Sequence, residues 1–202
     1  MSTHPLILVT GPSGAGKTTF ASALAPLLGL PVFHKDELKE ALFDAFPAAS
    51  AEDRARFGVA SFAMLERLAR AILPHGGVIV EANFDGRFAS APWQRLIAET
   101  SATARVLELT APAEILLQRV NIRAVDGSRH SGHAARPAER EVAIPVSLTL
   151  DVPTLRLDST TSPDELLVLA TAWLASLRSE ERPALGEDSD RDRRKIEPSQ
   201  PT

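Results

Sequence analysis

Leu6-Ile7-Leu8-Val9-Thr10-Gly11-Pro12-Ser13-Gly14-Ala15-Gly16-Lys17-Thr18-Thr19 runs from an apolar segment through a glycine-rich turn into helical spacing. Four apolar residues make a short run of the kind found in a buried parallel strand, and the run closes on a glycine-rich turn. From Lys17 the apolar spacing becomes helical through Leu28, and Gly29 stops it. Between strand and helix, Gly11 to Thr18 matches G-x-x-x-x-G-K-[ST], the loop that wraps backbone N–H groups around phosphates. Glycines allow the tight or left-handed angles that turn successive N–H groups inward, and the start of the helix adds its partial positive charge. Gly11, Ser13, Gly14, Ala15, Gly16, Lys17, Thr18 and Thr19 are therefore the expected nucleotide cradle. Lys17 is expected to reach the β- and γ-phosphates, and the Thr18 hydroxyl to bind Mg²⁺.

Outward from that loop the chain alternates strand and helix. Strands are expected at Pro31–Phe33, Val78–Val80, Val106–Leu109 and Thr154–Leu157. Helices are expected from Asp36 to before Pro47, at Ala55–Leu73, Pro92–Glu99, Glu114–Arg123 and Pro163–Leu177. Five strands alternating with helices call for an α/β protein with a parallel sheet covered on both faces, an αβα sandwich of three layers. One catalytic body over residues 1–178 is expected, with a charged tail over 179–202 whose few apolar residues cannot offset its ordering entropy.

Composition narrows the function. The chain has 202 residues, 44% hydrophobic and 24% charged, a soluble globular balance. With no Cys, disulfides, thiolate metal sites and a Cys nucleophile are excluded. Aromatics are 5% with no Tyr, which disfavours a base-stacking platform for single-stranded nucleic acid. The net charge of −4 argues against general duplex binding. No apolar run approaches a membrane span or signal peptide, so the reading is cytoplasmic with no membrane partner. The guanine-reading Asn-Lys-x-Asp motif is missing, since Asn83 and Asn121 precede Phe84 and Ile122, and this argues against a GTPase switch.

Candidate chemistry collects at the ends of the strands, where ligands sit in open parallel sheets. In His34-Lys35-Asp36-Glu37, Asp36 fits a general base for an acceptor hydroxyl, with Glu37 the weaker candidate. Asp36 also fits a helix N-cap, and the two roles are compatible. In Val78-Ile79-Val80-Glu81-Ala82-Asn83-Phe84, Glu81 ends the third strand as a carboxylate for Mg²⁺ or its waters. Asn83 and Arg87 follow as contacts for the acceptor, or as a turn residue and a solvated cation. Arg119, Arg123, Arg129, Arg136 and Arg140, with Gly127 and Gly132 among them, read as a basic lid over about residues 119–140 or as a solvated basic face. His130-x-x-His133 in that segment lacks an adjacent acidic or Cys ligand, which argues against a metal site.

Taken together, Gly11–Thr18, His34 to Lys39, Glu81-Ala82-Asn83-Phe84 and Arg119 to His133 resemble a P-loop kinase-like family often labelled AAA-type ATP-binding domain proteins. Its relatives include zeta-toxin-like kinases, chloramphenicol phosphotransferase and the kinase domain of polynucleotide kinases. The resemblance covers about residues 5–177 and implies a P-loop NTPase fold, with Asp36 where the family has its substrate-facing base and Arg119, Arg123 and Arg129 in the lid. Lys39-Glu40 stands where many relatives carry an Arg after the base. The function expected is ATP- and Mg²⁺-dependent transfer of the γ-phosphate to a hydroxyl of a small molecule, by a monomer or homodimer. A polynucleotide 5′-hydroxyl kinase and a non-catalytic ATP-binding regulatory protein are the alternatives.

Overall fold

The computed structural model describes residues 4–46, 50–125, 130 and 142–180, with the side chains of 125 and 178–180 left aside. Among them β1 (Pro5–Thr10), β2 (Val32–His34), β3 (Val78–Glu81), β4 (Thr103–Thr110) and β5 (Thr154–Asp158) form one sheet in the order β2-β3-β1-β4-β5. Every pairing is parallel, with Leu6 opposite Val78 on one side and Ala104 on the other. The helices are α1 (Lys17–Leu28), α2 (Lys35–Ala45), α3 (Ala51–Ile72), α4 (Gly86–Thr100), α5 (Ala113–Val125) and α6 (Pro163–Glu180). This is the expected five-stranded αβα architecture of P-loop NTPases, and a β2-β3-β1-β4-β5 order brings the ends of β1, β2 and β3 side by side.

β1 is apolar throughout because both its faces are covered. Ile7 and Val9 join Leu107 and Leu109 against Phe20 and Leu24 of α1, Leu116 of α5, and Leu166, Ala170 and Leu174 of α6. Leu6 and Leu8 turn the other way, with Val78, Val80 and Val106, against Leu65 and Ala69 of α3 and Trp93 and Leu96 of α4. Each such side chain removed from water contributes about 1.5–3 kcal/mol. The strand at the centre of the sheet is thus also the most heavily anchored, and the loop that follows it inherits a fixed starting point.

Two helix starts lie several residues earlier than the sequence spacing suggests. α3 begins at Ala51 rather than Ala55, because Ser50 and Asp53 close a reciprocal capping box: Ser50 Oγ accepts from the Asp53 N–H while the Asp53 carboxylate accepts from the Ser50 N–H. α4 begins at Gly86 rather than Pro92, capped by the Asp85 carboxylate, which accepts from the Arg87 N–H, and Pro92 is carried inside the helix. α6 runs to Glu180, two residues past the expected boundary of the body. The rest of the expected tail lies outside the described residues.

After Val142, which is buried in the first core, residues 144–152 run as a strap outside the strands on the α4 side of the sheet, and Pro153 O then accepts from the Val106 N–H at 3.0 Å. The Gly86 N–H donates to Val146 O at 2.8 Å, the Thr149 N–H to Ser90 Oγ at 2.9 Å and the Asp151 N–H to Gln94 Oε1 at 3.1 Å. Leu148, Leu150 and Val152 pack inward on the second core. The strap lies so close to α4 that a Cβ on Gly86 would stand 2.2 Å from Ser147 O, so this helix start requires glycine.

Candidate active site

The phosphate loop occupies the turn from β1 into α1. Gly14 and Gly16 take positive φ of 86° and 78°, and Gly16 is the left-handed N-cap of α1. No side chain caps this helix, so its first N–H groups and its dipole remain directed at the loop. Pro12, Gly14 and Ala15 are buried, whereas Ser13, Gly16, Thr18 and Thr19 are exposed along the rim. The loop's shape is set from below: Gly14 sits against the Leu116 backbone of α5.

Lys17 Nζ arches back to donate to Pro12 O at 3.0 Å. Burial pushes its ammonium below the ordinary lysine value; Glu81 and Asp36 oppose that shift, and Arg123 and Lys35 reinforce it. Those four charged groups act on Lys17 from α5, α2 and the end of β3, so the loop, the candidate base and one arginine of the expected lid share one electrostatic site.

At the end of β3, Glu81 faces the loop. Thr18 Oγ1 donates to Glu81 Oε2 at 3.1 Å, so the two expected metal-side residues meet. The same Oε2 is hydrogen-bonded at 3.0 Å to Nδ1 of His34, and His34 Nε2 contacts Ser22 Oγ at 3.0 Å. His34 and Glu81 are each only 4% exposed. The Glu81 hydrogen bond raises the imidazole above its usual range, with burial working against it. No group of three or more His, Asp or Glu side chains suited to hold a metal occurs among the described residues. A hydroxyl and a carboxylate nevertheless suit Mg²⁺, a hard cation commonly held by one or two protein oxygens together with phosphates and water.

Asp36 stands in the first turn of α2 with its side chain 62% exposed, and Lys35 Nζ donates to its Oδ1 at 2.9 Å. Lys35 is itself buried and sits over the Phe62 ring, 5.6 Å from its centre. Asp36 is therefore no N-cap: His34 holds that position and makes no side-chain cap.

The remaining candidates separate. Asn83 is exposed immediately beyond β3. Arg87 lies back on its own helix cap, with Nε and a terminal nitrogen donating to Asp85 at 2.9 and 2.7 Å. Arg119 is a brace: its guanidinium donates to Ser159 Oγ and Ser159 O at 3.0 and 2.9 Å and to Gly14 O at 3.4 Å, tying the phosphate loop to the turn after β5. Arg123, one turn on, is exposed. His130 Nε2 contacts Asp44 Oδ1 of α2 at 3.0 Å, and its ring stacks on Phe43. Arg129, Arg136, Arg140 and His133 lie outside the described residues. Sequence reasoning passed over Ser22, Ser159 and the role of His34. The register of β2 on β3, which sets His34 beside Glu81, was the signal that identifies His34.

A strand, a glycine loop carrying Lys17 and Thr18, a helix start and an acidic strand end across from them define a P-loop nucleotide-binding domain of the kinase-like type. The chain belongs to the AAA_33 family, described as an AAA domain, whose profile matches residues 6–142. A provisionally named kinase from Chloroflexus aurantiacus J-10-fl is similar at 31% identity and a TM-score of 0.76, over 87% of this chain and 98% of its own. A gluconokinase from Sinorhizobium meliloti 1021 shares the fold at 18% identity and a TM-score of 0.55, over 89% and 97% of the two chains. So does an APS kinase from Mycobacterium tuberculosis, in complex with AMPPNP and APS, at 19% identity and 0.58 over 87% and 99%. No curated protein matches the chain. No described helix is long and apolar enough to cross a membrane.

Proposed function

We propose that the protein is an ATP- and Mg²⁺-dependent phosphotransferase that moves the γ-phosphate of ATP to a hydroxyl of a small molecule. The observation that carries this reading is the meeting of the phosphate loop, the Thr18–Glu81 pair and Asp36 at adjacent strand ends. The neighbour named as a kinase, and those named as a gluconokinase and an APS kinase, support it.

Loop amides and the start of α1 hold the phosphates, and Lys17 gives up its contact with Pro12 O to take up phosphate oxygens. The charge delivered there offsets the burial that depresses the Lys17 ammonium. Thr18 and Glu81 would hold Mg²⁺, which supplies neutralisation of phosphate charge when bound. Asp36 accepts the proton of the acceptor hydroxyl while the new O–P bond forms and the bond between the γ-phosphorus and the β–γ bridging oxygen breaks, leaving ADP. Lys35, bonded to Oδ1, holds that carboxylate in orientation. Arg123 adds positive charge over the transferring group, while Arg119 holds the loop in shape. Arg129 belongs to the same proposed lid, and Asn83 and Arg87 to the acceptor side.

Incubation of γ-labelled ATP and Mg²⁺ with a metabolite pool tests the reading. Wild type is expected to label a small product, and Asp36→Asn to retain ATP binding while transferring no label. Label appearing instead on DNA or RNA 5′ ends, with a steep salt dependence, would replace the small-molecule reading by a polynucleotide kinase. Tight ATP binding with no transfer to any pool would favour a regulatory protein.

A further inference from the structure

Among the described residues, His34 is buried, hydrogen-bonded through both ring nitrogens, and not used directly by the proposed transfer. His34 ends β2, Glu81 ends β3, and the two are register partners in the sheet. Thr18 and Ser22 lie one turn apart on α1, so both hydroxyls rise from one face of that helix. The four side chains close a ring: Thr18 Oγ1 to Glu81 Oε2 at 3.1 Å, Glu81 Oε2 to His34 Nδ1 at 3.0 Å, His34 Nε2 to Ser22 Oγ at 3.0 Å, and back along α1.

We infer that His34 is the positioning residue for Glu81, holding its carboxylate, through the Nδ1–H, in the orientation that lets Thr18 and Glu81 take a divalent cation together. The inference rests on the reading of Glu81 as the metal-side carboxylate. An ionised carboxylate only accepts, so Nδ1 carries the proton, and in the neutral ring the Ser22 hydroxyl donates to Nε2. The ring plane of His34 is thereby fixed from both ends. Glu81 needs such a holder because it has one more rotatable bond than an aspartate in its place, and each free rotamer dilutes the orientation that binds. Both bonds to the carboxylate converge on Oε2, and among the described residues none is made to Oε1, the oxygen that a cation or its water would take. Partners of this kind behind a ligating carboxylate commonly change metal affinity by about 10–100-fold when removed.

The isosteres separate the contacts. An Asn at 34 sets an amide N–H close to the Nδ1 position and keeps the bond to Glu81. A Gln reaches the Nε2 position and keeps Ser22 while losing Glu81. Mn²⁺ binding read by electron paramagnetic resonance in the presence of ADP, beside calorimetry of ADP without metal, is the test on the full chain. Metal-free ADP affinity is expected to stay within about twofold in the His34 and Ser22 variants, because the loop is intact. Mn²⁺ affinity is expected to fall at least tenfold in His34→Gln and to be largely retained in His34→Asn. Should His34→Gln fail to fold, Ser22→Ala carries the test, with an expected loss of about twofold to tenfold for one hydrogen bond. His34→Gln or, in its place, Ser22→Ala binding Mn²⁺ like wild type, while Glu81→Gln is weakened, would overturn the inference and leave the reading of Glu81 standing. So would a loss in His34→Asn equal to that in His34→Gln. Undiminished Mn²⁺ binding in Glu81→Gln would instead overturn the reading of Glu81, and the inference with it.

Discussion

Two glycines of the phosphate loop differ in what a methyl group would meet, and that difference gives a graded prediction. Both take left-handed angles, a conformation that costs an L-residue roughly 1–2 kcal/mol. At Gly16 an added Cβ meets nothing within 4 Å, so Gly16→Ala carries the backbone cost alone. At Gly14 the Cβ would stand 2.7 Å from Leu116 O and 3.2 Å from Val120 Cγ2, in backbone and core that cannot swing away. Overpacking of this kind adds about 1–3 kcal/mol, for a total of about 2–5 kcal/mol in Gly14→Ala. In a chain of this size each kcal/mol appears as about 2–4 °C in Tm. The expected losses are then roughly 2–8 °C for Gly16→Ala and 4–20 °C for Gly14→Ala, read by calorimetry and urea unfolding of the nucleotide-free protein. ADP affinity should follow the same order, since relieving the Gly14 clash lifts the loop off α5. Equal losses, or a larger loss in Gly16→Ala, would refute the claim that the loop is shaped from below by Leu116.

Lys17→Met is expected to abolish nucleotide binding yet to raise the Tm of the nucleotide-free protein. Burial lowers the Lys17 pKa in the fold, so protonation favours the unfolded chain. That penalty is fully present below the folded pKa and fades as pH rises from there toward the unfolded value near 10.5, so the gain in Lys17→Met should be largest at neutral pH and shrink in alkali. The two described arginines of α5 should part company. Arg119→Ala breaks the bonds to Ser159 and Gly14 and should lower stability by about 1.5–3 kcal/mol in urea unfolding. Arg123→Ala, on an exposed side chain, should leave stability within about 0.5 kcal/mol and lower the rate of transfer. Asp85→Ala removes the α4 cap and frees Arg87; a loss of about 0.5–2 kcal/mol is expected, with the rate of transfer reporting whether Arg87 serves the acceptor.

Leu6–Val9 and Gly11–Thr18 made the fold legible because the period changes from strand to helix across a loop that only one backbone shape satisfies. Helix starts were harder to read. Pro92 looked like a first-turn residue, but Asp85-Gly86 carries the cap, and the covering strap explains why glycine stands there. The strap carries the alternation Val146, Leu148, Leu150, Val152, of which Leu148, Leu150 and Val152 pack inward on the second core. In the site, Lys17, Thr18 and Glu81 were readable from motif and strand end. Arg119 and Arg123 looked alike as charges four apart, and only the turn after β5 distinguishes the brace from the exposed cation. His34 required the β2–β3 register, which no local pattern contains.

In the proposed reaction, phosphate leaves ATP for an acceptor hydroxyl deprotonated by Asp36. ³¹P NMR of ATP and Mg²⁺ turned over with the metabolite pool tests it most directly. Wild type should produce a phosphomonoester resonance in step with ADP, and Asp36→Asn should leave ATP bound and unconverted. Inorganic phosphate as the sole new resonance besides those of ADP, or the same phosphomonoester formed at the same rate by Asp36→Asn, would contradict it.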